Sequence, residues 1–114
     1  MPIDVALLER ICKEPGPPGF ETRIRNVVLE ELEGLADEVR VDAMGNVVAL
    51  KKGKSSKMKA MAAAHMDEIG FIVTHVDKEG FLRFNPLGGF DAKTLTSQRV
   101  LVHGREDLLG VMGS

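Results

Sequence analysis

The stretch Met61-Ala62-Ala63-Ala64-His65-Met66-Asp67-Glu68-Ile69-Gly70-Phe71 decides how the rest of this 114-residue chain is read. A run of small apolar residues, begun by Met58-Lys59-Ala60, leads the backbone into His65. Such residues suit a strand packed closely on both faces in an α/β sheet, with helices above and below. In sheets of that kind ligand sites lie just past the carboxyl ends of the strands. If the stretch is a strand it is the third, spanning Met58 to Ala64, with His65 and Asp67 where chemistry would sit; periodicity does not decide this. Alanine is also a strong helix former, so propensity alone would assign this stretch to a helix.

The spacing has a chemical meaning. One imidazole nitrogen of His65 could bind a divalent metal. The other nitrogen then needs an acceptor that fixes the tautomer and the ring plane, commonly a carboxylate. Residues two apart on an extended strand share a face, which lets Asp67 meet His65 and sends Glu68 the other way unless the chain turns. A lone His-x-Asp arises by chance, however, and taken alone it is more readily a hydrogen-bonded structural histidine.

Outward from this stretch, Ile3 to Lys13 has helical spacing at Ile3, Leu7, Leu8, Ile11 and Cys12, with Asp4 as cap or first-turn carboxylate. Cys12 on that stripe reads as a buried inert thiol. Pro15-Gly16-Pro17-Pro18-Gly19 breaks the helix and reads as a rigid connector. Glu21 to Gly34 is a second helix, with Ile24, Val27, Val28, Leu29 and Leu32 inward and Glu30, Glu31 and Glu33 in water. Gly34 supplies its stop. Asp37–Asp42 and Asn46–Lys52 alternate as a hairpin about Met44-Gly45-Asn46. Residues 53–57 form an exposed polar loop. After Gly70 the helical period disappears. Strands are expected at 71–77, 81–84, 98–103 and 108–112, with 85–89 irregular and one helical turn from Asp91 to Leu95 capped by Asp91. This is a short-stranded β unit.

Several motifs run in order along nearly the whole chain: Pro15-Gly16-Pro17-Pro18-Gly19-Phe20-Glu21, Asp42-Ala43-Met44-Gly45-Asn46, Ala64-His65-Met66-Asp67-Glu68-Ile69-Gly70-Phe71, Gly88-Gly89-Phe90-Asp91, Gln98-Arg99-Val100 and Gly110-Val111-Met112-Gly113-Ser114. Each is weak alone. As an ordered set they resemble the amino-terminal part of the tetrahedral (TET-type) dinuclear-metal aminopeptidases. Members of that family also carry glutamyl or deblocking aminopeptidase, cellulase or endoglucanase labels. The resemblance implies that Met58 to Ala64 is the third strand, and it reverses the reading of His65.

What the resemblance implies can be stated concretely. Residues 1–69 would be the first part of an α/β-sandwich catalytic domain. Residues 70–114 would be the first part of an inserted small β-barrel, PDZ-like, that dimerises and builds a hollow dodecamer. His65 would ligate metal, and Asp67 would be the catalytic-site carboxylate that orients it. The complete enzyme would hold two zinc or cobalt ions and remove amino-terminal residues from peptides. Family members are much longer than this chain. Their remaining ligands, a bridging aspartate, a glutamate, another aspartate and a histidine, and their catalytic glutamate would lie beyond it, leaving the 114 residues inactive alone. Gly113-Ser114 matches the family motif and reads as native. Neither His75 nor His103 matches a ligand, so both read as structural or surface residues. A β-mediated assembly or binding module without catalysis is the alternative. A glycan hydrolase is a lesser one, since the chain has no Trp or Tyr to platform sugars.

Composition narrows the rest. Hydrophobic residues at 44% and charged residues at 28% are ordinary for a soluble globular chain. A net charge of -2 offers nothing to nucleic acid. No apolar run is long enough for a bilayer, and no signal peptide is evident. The single cysteine precludes an intrachain disulfide and fits a reducing cytoplasm.

Overall fold

The computed structural model describes residues 3–113. They mix helix and strand in the order α1 (Val5–Lys13), α2 (Thr22–Glu31), β1 (Glu38–Val41), β2 (Val47–Leu50), β3 (Gly70–Val76), β4 (Leu82–Leu87), a 3-10 turn (Ala92–Thr94), β5 (Arg99–His103) and β6 (Asp107–Val111). The chain divides into two compact units, Met1–Gly70 and Phe71–Ser114. Ser114, the last residue of the final sequence motif, lies outside the described residues.

In the first unit, Asp4 caps α1 by accepting the Leu7 N–H at 3.0 Å. Arg10 on α1 reaches both Glu30 and Glu31 of α2. Part of the acidic face of α2 that was expected to be merely solvated therefore holds the other helix, though an exposed pair of this kind contributes little stability. The expected burial of Cys12 is not found: α1 has no buried residue, and Cys12 is exposed. On its apolar stripe Leu7 is half-buried, while Leu8 and Ile11 are exposed. Glu21 precedes α2, its carboxylate accepting the Gly19 N–H at 2.6 Å. Gly34, at φ +71°, takes the left-handed conformation that ends the helical segment. Ile24 and Val27, 2% and 6% exposed, are the buried apolar residues of this unit, and α2 lies against β2.

The β1–β2 hairpin is antiparallel with Val41 opposite Val47 and Glu38 opposite Leu50. Asp42 builds its turn. One carboxylate oxygen accepts the Met44 and Asn46 N–H groups and the other accepts the Asn46 side-chain amide, all at 2.9 Å. Gly45 sits at φ +88°, where a side chain would also strike the Arg25 guanidinium at 2.6 Å.

The third strand expected over Met58–Ala64 is not formed. No residue from 58 to 69 belongs to a ladder, and Met58 and Met61 are 88% and 90% exposed rather than enclosed between helices. The physical reason is pairing. A strand exists only where a neighbour takes its N–H and C=O groups; β1 and β2 pair with each other, and among the described residues no strand pairs with 58–64. The run of alanines marks a segment suited to close packing but supplies no partner.

The second unit holds two two-stranded sheets, β3–β4 and β5–β6. Asp77 organises the first turn, accepting the Phe81 N–H at 2.8 Å and the Glu79 N–H at 3.1 Å. Phe71 meets Phe84 edge-on at 4.8 Å and stacks on Phe90 at 4.4 Å. β4 continues to Leu87, through residues expected to be irregular. Pro86 is tolerated there because β4 has a neighbour on one side only, leaving an edge that needs no donor. Asp91 caps the short turn through the Lys93 N–H at 3.0 Å, as expected. The antiparallel β5–β6 ladder runs from Arg99 opposite Val111 to His103 opposite Asp107. It extends through the Met112 N–H to Gln98 C=O bond at 2.9 Å. No closed barrel forms among the described residues.

Two stability measurements check these contacts. A methyl group at Gly16 would overlap the Ile24 side chain, so Gly16→Ala should lower stability by about 1–3 kcal/mol, the usual overpacking cost, read as a lower urea midpoint. The hydrogen bonds from Asn46, side chain first and backbone second, hold the Asp42 carboxyl below its ordinary value. A lowered folded value means stability that is present above the ordinary carboxylate range and is lost as pH falls through the lowered one. The midpoint gap between the native chain and Asp42→Ala should accordingly hold near neutral pH and close in acid.

Candidate functional site

The segment that carries His65 has no sheet to hold it, so its placement rests on other contacts. Two hydrogen bonds tie it to the loop between the helices. The Glu68 N–H donates to the Gly16 C=O at 3.0 Å, and the Gly16 N–H donates to Glu68 Oε1 at 3.2 Å. Gly16 is buried. Position 70 must also lack a side chain, since a Cβ there would lie 2.7 Å from the Pro17 Cβ. The proline-glycine loop, read from sequence as a connector, is thus the seat on which residues 66–70 rest.

Just before that seat the chain folds Asp67 back onto His65. His65 Nδ1 lies 3.0 Å from Asp67 Oδ1 and 3.0 Å from the Asp67 carbonyl oxygen. Both oxygens are acceptors, as an ionised carboxylate and a backbone carbonyl must be. Nδ1 therefore carries a proton, and in the neutral ring Nε2 keeps its lone pair. The His65 side chain is 85% exposed and that of Asp67 40%. The pair expected from sequence is brought together, with one nitrogen free to bind.

Glu68 turns away from this pair and is used on Gly16. Sequence spacing gives no sign of that bond, because 52 positions separate the partners. The faint signal was composition: glycines at 16 and 70 and a proline at 17, residues that permit close backbone approach.

The other histidines lie in the second unit. His75 is exposed on β3. His103 Nδ1 meets Asp107 Oδ1 at 2.9 Å across the base of the β5–β6 hairpin. Among the described residues no three His, Cys, Asp or Glu side chains converge as a metal cage. The donor set around His65 is one imidazole with its orienting carboxylate. That fits one wall of a metal centre, whereas a catalytic zinc normally takes three protein ligands.

Comparison with known proteins gives the chain a family. The family model for M42 glutamyl aminopeptidase matches residues 45–114. The lysyl aminopeptidase of Pyrococcus furiosus is 44% identical over 99 residues, covering 86% of this chain and 28% of that protein. Among solved structures, a TET aminopeptidase from a marine sediment archaeon of the Thaumarchaeota superposes with a TM-score of 0.87 at 38% identity, covering 96% of this chain and 31% of the other. The TET1 peptidase of Pyrococcus horikoshii, described as assembling into a tetrahedron or a large octahedral shell, gives 0.83 at 36% identity, with 96% and 33% covered. The chain spans about a third of the length of these relatives. With a family model covering more than half its residues, the chain belongs to the M42 glutamyl aminopeptidase family.

Proposed function

We propose that this chain contributes one wall of the metal centre of a metal-dependent aminopeptidase that releases amino-terminal residues from peptides. The observation that carries this reading is the His65–Asp67 pair. A carboxylate and a carbonyl on Nδ1 leave Nε2 of the neutral ring unprotonated and exposed, the state in which an imidazole ligates a metal. Membership of the M42 family supports it.

His65 would hold the ion through Nε2, and Asp67 would keep Nδ1–H engaged so that the ring neither rotates nor changes tautomer. A pair of zinc or cobalt ions, when bound, supplies a polarised scissile carbonyl and an acidified water. The glutamate that takes the water's proton in this chemistry is not assigned to any residue here. Glu68 is engaged with Gly16 and is not a candidate.

The two units take different parts in this reading. Residues 1–69 would form the start of the catalytic domain. Residues 70–114 would begin a small PDZ-like β-barrel that dimerises, with dimers building larger shells such as a dodecamer. Exposed apolar side chains on β6, with Leu109 at 81%, favour association of that unit with another surface. A cytoplasmic setting accords with the single cysteine. No described helix is long and apolar enough to cross a membrane.

The 114-residue chain alone, offered peptides with zinc or cobalt, should release no amino-terminal residue; metal-dependent turnover would show that it holds a complete site. In the protein as its gene encodes it, His65→Ala should abolish peptide cleavage and lower bound metal. Asp67→Ala should weaken metal affinity about 10–100-fold, the usual cost of losing a partner one bond removed from the ion. Unchanged metal content and cleavage in both variants would refute the assignment.

A further inference from the structure

We propose that Glu68 is a positioning residue, whose grip on Gly16 holds Asp67 against His65 Nδ1 and so decides which imidazole nitrogen stays free. Its functional meaning rests on the metal reading above, but its physical content does not.

The geometry leads there in three steps. First, residues 58–69 join no ladder, so nothing in a sheet restrains His65 or Asp67. Second, the chain is fastened immediately after Asp67. The Glu68 backbone donates to the Gly16 carbonyl at 3.0 Å while its side chain accepts the Gly16 N–H at 3.2 Å. One residue thereby satisfies both backbone groups of a buried glycine, which would otherwise lose free energy on burial. Third, the seat is closely fitted. A Cβ on Gly16 would overlap Ile24 and lie 3.7 Å from the Met66 carbonyl oxygen, and a Cβ on Gly70 would lie 2.7 Å from the Pro17 Cβ. Met66 and Gly70 flank the clamp on either side, so the Asp67 backbone lies inside the fastened span.

Asp67 presents two acceptors to one nitrogen, its own carbonyl and its carboxylate, each at 3.0 Å. That double contact needs a particular backbone conformation at residues 66–68, because the carbonyl cannot be re-aimed by a side-chain rotation. The clamp at Glu68 fixes the far end of that short span. The Asp67 carbonyl shares its peptide plane with the Glu68 N–H, so the bond to the Gly16 carbonyl aims it, and the Glu68 side chain on the Gly16 N–H holds that bond in place. With the side chain removed the contact loosens, Nδ1 loses its carbonyl acceptor for part of the time, and the Nε2–H tautomer gains population.

The test uses the metal-free 114-residue chain and nitrogen-15 NMR of His65, at a pH where the ring is neutral. The native chain should show the Nδ1–H tautomer. Glu68→Ala should raise the Nε2–H share several-fold and speed exchange of the Gly16 amide by up to about tenfold, as loss of one hydrogen bond of ordinary net strength would. Glu68→Asp keeps the charge but is too short to span, and should behave like Glu68→Ala even if that variant folds poorly. Glu68→Gln keeps an acceptor oxygen and should restore the native tautomer. A native tautomer in Glu68→Ala or Glu68→Asp would overturn the proposal, as would a Glu68→Gln chain that folds but loses it. A tautomer shift in these variants, alongside unaltered metal content in His65→Ala of the encoded protein, would keep the positioning role and refute the metal reading.

Discussion

The organising constraint in the first unit is a segment that holds the His65–Asp67 pair but has no sheet to lean on. Backbone groups in a strand are restrained by their neighbours; residues 58–69 have none among the described residues. What restrains the end of this segment is a pair of hydrogen bonds to one buried glycine, with a second glycine making room for Pro17. The loop between α1 and α2 therefore bears on where His65 and Asp67 sit. Ile24 anchors that loop from below, so the small core of α2 also bears on where the imidazole sits.

From that placement follows the proton. Nδ1 facing two acceptors carries a proton, which in the neutral ring leaves Nε2 with its lone pair. One such nitrogen does not make a catalytic metal site. The same His–Asp geometry recurs at His103 and Asp107, where the pair closes a hairpin. A His–carboxylate contact is thus not a functional mark by itself. What separates the two is exposure: the His65 side chain is 85% exposed and that of His103 36%.

Much of the fold was readable from local chemistry. Both helices, the Asp4 cap, the Asp42–Asn46 turn and the Asp91 cap follow from short-range patterns that a sequence displays directly. The β5–β6 ladder follows from alternation flanking a polar turn. The failures were all long-range. The alanine run signals close packing but cannot say whether a partner is present, so a strand was expected where no ladder forms. Cys12 sits on an apolar stripe and is exposed. The continuation of β4 through Pro86 depends on which edge of the sheet is open. Within the site, the two-residue spacing of His65 and Asp67 was readable; the bond from Glu68 to Gly16 was not, because no local pattern couples positions so far apart.

The most direct measurement is anomalous diffraction at the zinc edge from crystals of the encoded protein loaded with zinc. The account predicts a peak about 2.0–2.1 Å from His65 Nε2, the ordinary zinc–imidazole distance, with Asp67 still on Nδ1. A zinc centre that leaves His65 Nε2 unligated, or that binds through Nδ1 with Asp67 turned aside, would contradict it.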